Sequence, residues 1–242
     1  MSARRCAAVL TVVVTVALAG FGAPPAGAVT PPVVEPGPPP SGPVAPAQPT
    51  ELKAICGIPT GVLPGTDFTK QTSAEAMLEY RRAWRFSRGA GQKVAVIDTG
   101  VNRHPRLPAL EPGGDYVSSG DGLVDCDAHG TLVAGIIAAV PAEGDSFAGV
   151  APEATILSIR QNSGAYSAAG TTSGQNDDPN ATSVGYGNTH TLALAITRAV
   201  DLGATVINLS EVACAPVSAG LDDRELGVTP RQVVNGVVSG SR

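Results

Sequence analysis

The chain has 242 residues, 43% of them hydrophobic and 15% charged, which is enough apolar material for one globular domain with a core. Its formal net charge is −5, from 16 Lys and Arg against 21 Asp and Glu, and the cations are scattered along the chain. That balance excludes the basic footprint of a nucleic-acid-binding surface.

At the N-terminus, Arg4 and Arg5 precede an apolar run from Ala7 to Phe21, and Ala26-Gly27-Ala28 follow in the A-x-A pattern of a signal-peptidase site. Residues 1–28 are expected to be an export leader cleaved after Ala28. The run is shorter than the ~20 residues that span a bilayer, which argues against a membrane anchor. Cys6 precedes the run rather than closing it, which argues against a lipidated N-terminus. Residues 29–50, VTPPVVEPGPPPSGPVAPAQPT, are proline-rich and nearly uncharged. They read as an extended, semi-rigid spacer, with the folded region beginning near Glu51 and an N-terminal extension over 51–90.

Cys56, Cys126 and Cys214 remain after cleavage. In an oxidising compartment, and without a C-x-x-C spacing, a disulfide is favoured over a metal site. Cys56 with Cys126 is the preferred pair, fastening the extension to the loop before His129. Cys214 is then odd.

Farther along, Lys93 to Ile97 reads as a strand, Thr131 to Ala139 as a helix, Thr155 to Ile159 as a strand, Thr191 to Leu202 as a helix and Ala204 to Leu209 as a strand. This alternation predicts an α/β domain with parallel strands and helices on both faces. The apolar strands do not alternate, as expected when both faces are buried. Gln161 to Thr189 reads as a long polar loop of the kind that carries function or mobility.

Asp98 ends the apolar run VAVID and is followed at once by Thr-Gly. In an open parallel sheet, reacting groups collect beyond the carboxyl ends of the strands. A carboxylate among apolar neighbours also needs a hydrogen-bond partner. His129, at the start of HGTLVAGIIAA, is the natural candidate. Alone, Asp98 reads as a turn-former or helix cap, and His129 as a structural residue. The pair is more specific than either member.

VAVIDTGV followed by His104-Pro105-Arg106-Leu107, then HGTLVAGIIAA, then GATVINLS, resemble in order and spacing the first three signature blocks of the subtilisin-like serine proteases. AWRFSRGAGQKVAVIDTGV, DCDAHGTLVAG and VINLSEVAC are similar to the mycosins, the subtilases that accompany type VII secretion systems. The resemblance implies a partial subtilase domain over 91–227 with a subtilisin-like parallel sheet, incomplete at its C-terminus. Asp98 would be the triad acid and His129 the general base. Ser210, Glu211 and Val212 would lie along the substrate backbone. Cys56 would pair with Cys126, and Cys214 with a later cysteine. No cofactor and no metal are implied, although Asp177 and Asp178 are acidic residues in a family that often binds calcium. The expected partners are a peptide or protein substrate and membrane components of the secretion system. The expected location is the cell envelope or beyond.

The resemblance stops before the family's G-T-S-x-A-x-P block, which carries the nucleophile, and its A-A-G-N-type segment, which lines the oxyanion hole. Neither occurs here. Gly170-Thr171-Thr172-Ser173-Gly174 lies in a polar loop with no apolar helix behind it. Asn208 lies inside a core strand block, and Ser239 and Ser241 in a tail, residues 228–242, that matches nothing in the family. The expectation is a reading frame interrupted near Gly227, or a fragment, without peptidase activity of its own and with no C-terminal membrane helix. A reading of another class is a non-catalytic binding or scaffold protein of the secretion apparatus, contacting its partners through the 161–189 loop. A soluble, cooperatively melting product would favour that reading.

Overall fold

A computed structural model describes residues 37–57, 64–170 and 185–210. The expected leader, the start of the spacer, Glu211, Val212, Cys214, Asp177, Asp178 and the tail 228–242 lie outside the described residues.

The centre of the fold is built from two short apolar runs. Strand β2 (Lys93–Asp98) and strand β4 (Thr155–Arg160) pair in parallel, Val94 with Ile156 through Asp98 with Arg160. Strand β6 (Val206–Leu209) joins β2 on its other side, also in parallel, and strand β3 (Leu110–Asp115) joins β4, giving the order β3-β4-β2-β6. Because β2 has a strand on each side and a layer on each face, Ala95, Val96 and Ile97 are fully buried.

The two-residue period of a strand divides these side chains between two cores. Val94, Val96 and Ile156 point to one face, where Ala134 and Ala138 of helix α2 (His129–Ala138) cover them together with Val101 and Leu107. Ala95, Ile97, Leu157 and Ile159 point to the other, against Leu194, Ala195, Ile196 and Ala199 of helix α3 (Thr189–Asp201). Helix α3 opens with Asn188, whose side-chain oxygen accepts from the Thr191 N–H, an ordinary N-cap. This is the α/β architecture expected from the sequence, with each helix beginning two residues earlier than its apolar run suggested.

The edge strand β3 is an addition. Its sequence LEPGGD was not among the expected strands, yet it pairs with β4 through a register shift between Pro112 and Gly114. Proline is compatible with an edge strand at a bulge. Gly113 is required there, since a Cβ at that position would come within 2.5 Å of the Ile159 side chain and 2.6 Å of the Ser158 carbonyl oxygen.

Two further expectations are modified. Part of the loop from Gln161 is regular: strand β5 (Tyr166–Ala168) pairs antiparallel with strand β1 (Thr50–Leu52), and Ser163 bridges to Tyr186. The end of the segment read as a spacer also lies against the domain. Thr50 Oγ1 donates to the Val117 carbonyl at 2.6 Å, Gln48 N–H to the Tyr186 hydroxyl at 3.3 Å, and Val44 packs over Gly114. Proline-rich chain keeps its carbonyls and apolar rings available, so it can dock without forming a core of its own.

The extension carries helix α1 (Ser73–Leu78), held by a reciprocal capping box between Thr72 and Glu75, and then a 3₁₀ helix (Tyr80–Arg85). The Tyr80 hydroxyl lies 2.6 Å from the Ala148 carbonyl oxygen, and Trp84 Nε1–H donates to the Val150 carbonyl at 2.8 Å.

Candidate active site

Asp98 is the last residue of β2, and the whole of it is buried. The position follows from the strand: Ile97 fills the α3-side core, so the next side chain turns to the α2 face at the carboxyl edge of the sheet. His129 is the first residue of α2, whose Ala134 and Ala138 pack on β2. Two elements docked on one another thus bring together residues 31 positions apart, with His129 Nδ1 at 2.7 Å from Asp98 Oδ1.

The carboxylate is held in turn. The Thr99 N–H donates to the same Oδ1 at 2.7 Å. Oδ2 is buried without a hydrogen-bond partner among the described residues. An ionised carboxylate only accepts hydrogen bonds, so the contact is made by Nδ1–H donating, which leaves Nε2 as the basic nitrogen of the ring. Exposure separates the two groups: the His129 side chain is 52% exposed and that of Asp98 0%. A buried carboxylate fixing one nitrogen of an accessible imidazole is an arrangement for general base catalysis, in which the other nitrogen takes a proton from an incoming group.

Gly130 makes the approach possible. A Cβ there would stand 2.1 Å from the Gly100 carbonyl oxygen and 3.0 Å from Asp98 Oδ1. Gly100, at φ +101°, bends the chain beneath it.

Cys56 and Cys126 form a disulfide, and the Gly57 N–H donates to the Cys126 carbonyl at 2.6 Å. The extension is thereby fastened three residues before His129. Ser210 leaves the sheet beside Asp98, because its predecessor Leu209 pairs with Ile97. Ser210 is exposed, and its hydroxyl donates to Asn208 Oδ1 at 2.9 Å. Glu211 and Val212 continue outside the described residues. Among the described residues no three His, Cys, Asp or Glu side chains converge as a metal site. Two surface cavities, of about 240 and 390 Å³, lie along α1 and the 3₁₀ helix, away from His129.

Three residues around the pair have no role assigned from the sequence, although Thr99 and Asp125 lie within the segments VAVIDTGV and DCDAHGTLVAG. Thr99, Asn102 and Asp125 form a hydrogen-bonded group between the end of β2 and the start of α2. The D-x-x-x-H spacing of Asp125 to His129 was the available signal, and it is too short to be specific.

Comparison with known proteins gives a consistent picture. A family model described as the subtilase family matches residues 89–212. Mycosin-4 of Mycobacterium tuberculosis is 47% identical over 229 residues, covering 94% of this chain and 48% of the relative. Among solved structures, the MycP3 protease from the type VII (ESX-3) secretion system superposes with a TM-score of 0.71 at 44% identity, covering 88% of this chain and 55% of that one. A chain of the periplasmic assembly from the ESX-5 inner membrane complex also superposes with a TM-score of 0.71, at 45% identity over 88% of this chain and 54% of that one. This chain therefore spans about half the length of the relatives it matches.

Proposed function

The chain belongs to the subtilase family, and on that footing we propose that it carries the Asp–His part of a mycosin-type serine endopeptidase serving type VII secretion. The observation that carries this reading is the 2.7 Å contact between Asp98 Oδ1 and His129 Nδ1 at the carboxyl edge of a parallel sheet. In the reaction, Asp98 holds the imidazole in the tautomer with the proton on Nδ1 and stabilises its protonated form. His129 Nε2 takes the proton of a serine hydroxyl as that oxygen attacks a peptide carbonyl. It then returns the proton to the departing amine, leaving an acyl-enzyme, and repeats the exchange with water.

The 242 residues contain no match to the family's G-T-S-x-A-x-P block. The serine in this mechanism is thus not assigned to any residue of the sequence, and the polypeptide by itself is expected to hydrolyse no peptide. Residues 210–212 serve as the strand along which the substrate backbone lies. The chain acts in the cell envelope, after export under direction of residues 1–28, among membrane components of the secretion system. Its similarity to a chain of the ESX-5 periplasmic assembly supports that setting.

The test is a chimera in which this chain is continued by the remainder of Mycosin-4. It is expected to cleave peptides. His129→Ala should lower turnover by about 10⁶-fold and Asp98→Asn by about 10⁴-fold, the scale found in subtilisin and trypsin-like enzymes. A folded chimera that is inactive, or one whose activity survives His129→Ala, overturns the reading.

A further inference from the structure

Helix α2 begins without a cap of its own. Ala128, at the N-cap position, is left-handed with φ 64° and supplies no side-chain hydrogen bond. The next residue is His129. The first N–H groups of a helix need acceptors, and here two of them find acceptors outside the helix, one 31 residues earlier and one six residues earlier. Gly130 N–H donates to Thr99 Oγ1 at 2.9 Å, and Thr131 N–H donates to Asp125 Oδ2 at 2.9 Å.

Asp125 is 4% exposed, and both its oxygens are engaged. Oδ2 also accepts from the Thr131 hydroxyl at 2.6 Å. Oδ1 accepts from the Thr99 hydroxyl at 2.8 Å and from the Asp127 N–H at 3.1 Å. Asn102 clamps the backbone of the same residue: its Oδ1 accepts from Asp125 N–H, and its Nδ2 donates to the Asp125 carbonyl, each at 2.9 Å. Thr99 is the link to the reacting pair, since its own N–H donates to Asp98 Oδ1. One hydroxyl therefore ties together the carboxylate of Asp125, the start of the histidine helix and the residue that orients Asp98.

We propose that Asp125 is a positioning residue for the Asp98–His129 pair, acting through Thr99 and Thr131 as a cap supplied from outside the helix. The inference rests on the catalytic reading of that pair. A helix whose first turn is held by its own N-cap can rotate slightly without losing the cap. A first turn bonded to the loop at 125 and to the residue after Asp98 cannot, so the imidazole stays in line with its acceptor.

The experiment is NMR of the full chain with ¹⁵N-labelled histidine, reading the low-field Nδ1–H resonance of His129 and assigning it by its disappearance in His129→Ala. Thermal melting of each variant is recorded alongside. The wild type is expected to show the resonance and Asp98→Asn to lose it. Asp125→Asn and Thr99→Val are expected to melt cooperatively and still lose it, and Thr99→Ser, which keeps the hydroxyl, to restore it. If Asp125→Asn does not fold, the Thr99→Val and Thr99→Ser pair decides. Persistence of the resonance in folded Asp125→Asn or Thr99→Val overturns the positioning role while leaving the pair intact. Unfolding of both variants also overturns it, since the group would then serve folding alone. Absence of the resonance from the folded wild type overturns the pair itself and this inference with it.

Discussion

At the residue scale, the site depends as much on what is missing as on what is present. Gly130 sits where backbone from Gly100 and the carboxylate of Asp98 both come within contact of its absent side chain. Gly130→Ala must push α2 away from β2, and it should destabilise the domain by about 2–4 kcal/mol, since backbone cannot give way as a flexible side chain can. Denaturant unfolding of the variant against the wild type measures it. The glycine was visible in the HGT motif, but the reason for it was not, because the carbonyl that excludes a side chain belongs to a residue 30 positions earlier.

At the element scale, the capping box of α1 shows how a local pattern becomes a titratable fastening. Glu75 is almost wholly buried. Burial pushes its carboxyl upward, but the Thr72 N–H and hydroxyl, the Tyr80 hydroxyl and nearby Arg81 outweigh this and hold it below its ordinary 4.5. A carboxylate lowered on folding contributes stability above its unfolded value, and that contribution is lost as pH falls through the folded one. Thr72→Ala and Glu75→Gln should each cost about 1 kcal/mol at neutral pH. For Glu75→Gln the difference from wild type should shrink below about pH 4.5, as followed by melting across an acid series. A difference that grows with acidification would show that Glu75 does not hold the helix through its charge. The Thr72-Ser73-Ala74-Glu75 pattern fits a capping box, but neither it nor the edge strand β3 was among the elements expected from the sequence. Pro-Gly-Gly inside a strand is tolerated because β3 itself bulges at Gly113, between Pro112 and Gly114, on the edge of the sheet.

At the scale of the whole molecule, the disulfide between Cys56 and Cys126 closes a span of 70 residues. It joins the extension to the loop that leads into the histidine helix. Removing that constraint from the unfolded chain is expected to cost about 2–4 kcal/mol. Reduction, or Cys56→Ser with Cys126→Ser, should lower the melting midpoint accordingly, compared by scanning with and without reductant. The extension is further held by the β1–β5 pairing and by Tyr80 and Trp84. The secondary structure of the catalytic strands and helices should therefore survive reduction in the far-ultraviolet circular dichroism.

The sequence by itself determined the parallel α/β architecture, because β-branched runs bounded by glycine, alternating with apolar helical segments, leave a local periodic signal. It also determined Asp98 and His129 as a candidate pair, because each ends a strand or opens a helix within a recognisable motif. The tertiary structure alone decided the contact between them, the pairing of Thr50–Leu52 with Tyr166–Ala168, the docking of residues 42–50 and the use of Asp125 and Thr99 as a remote cap. Apart from the Asp125–Thr131 bond, which spans six residues, these contacts join segments 26 or more residues apart and form only once the chain has folded. Such contacts impose no period on the sequence, so they leave nothing in it to read.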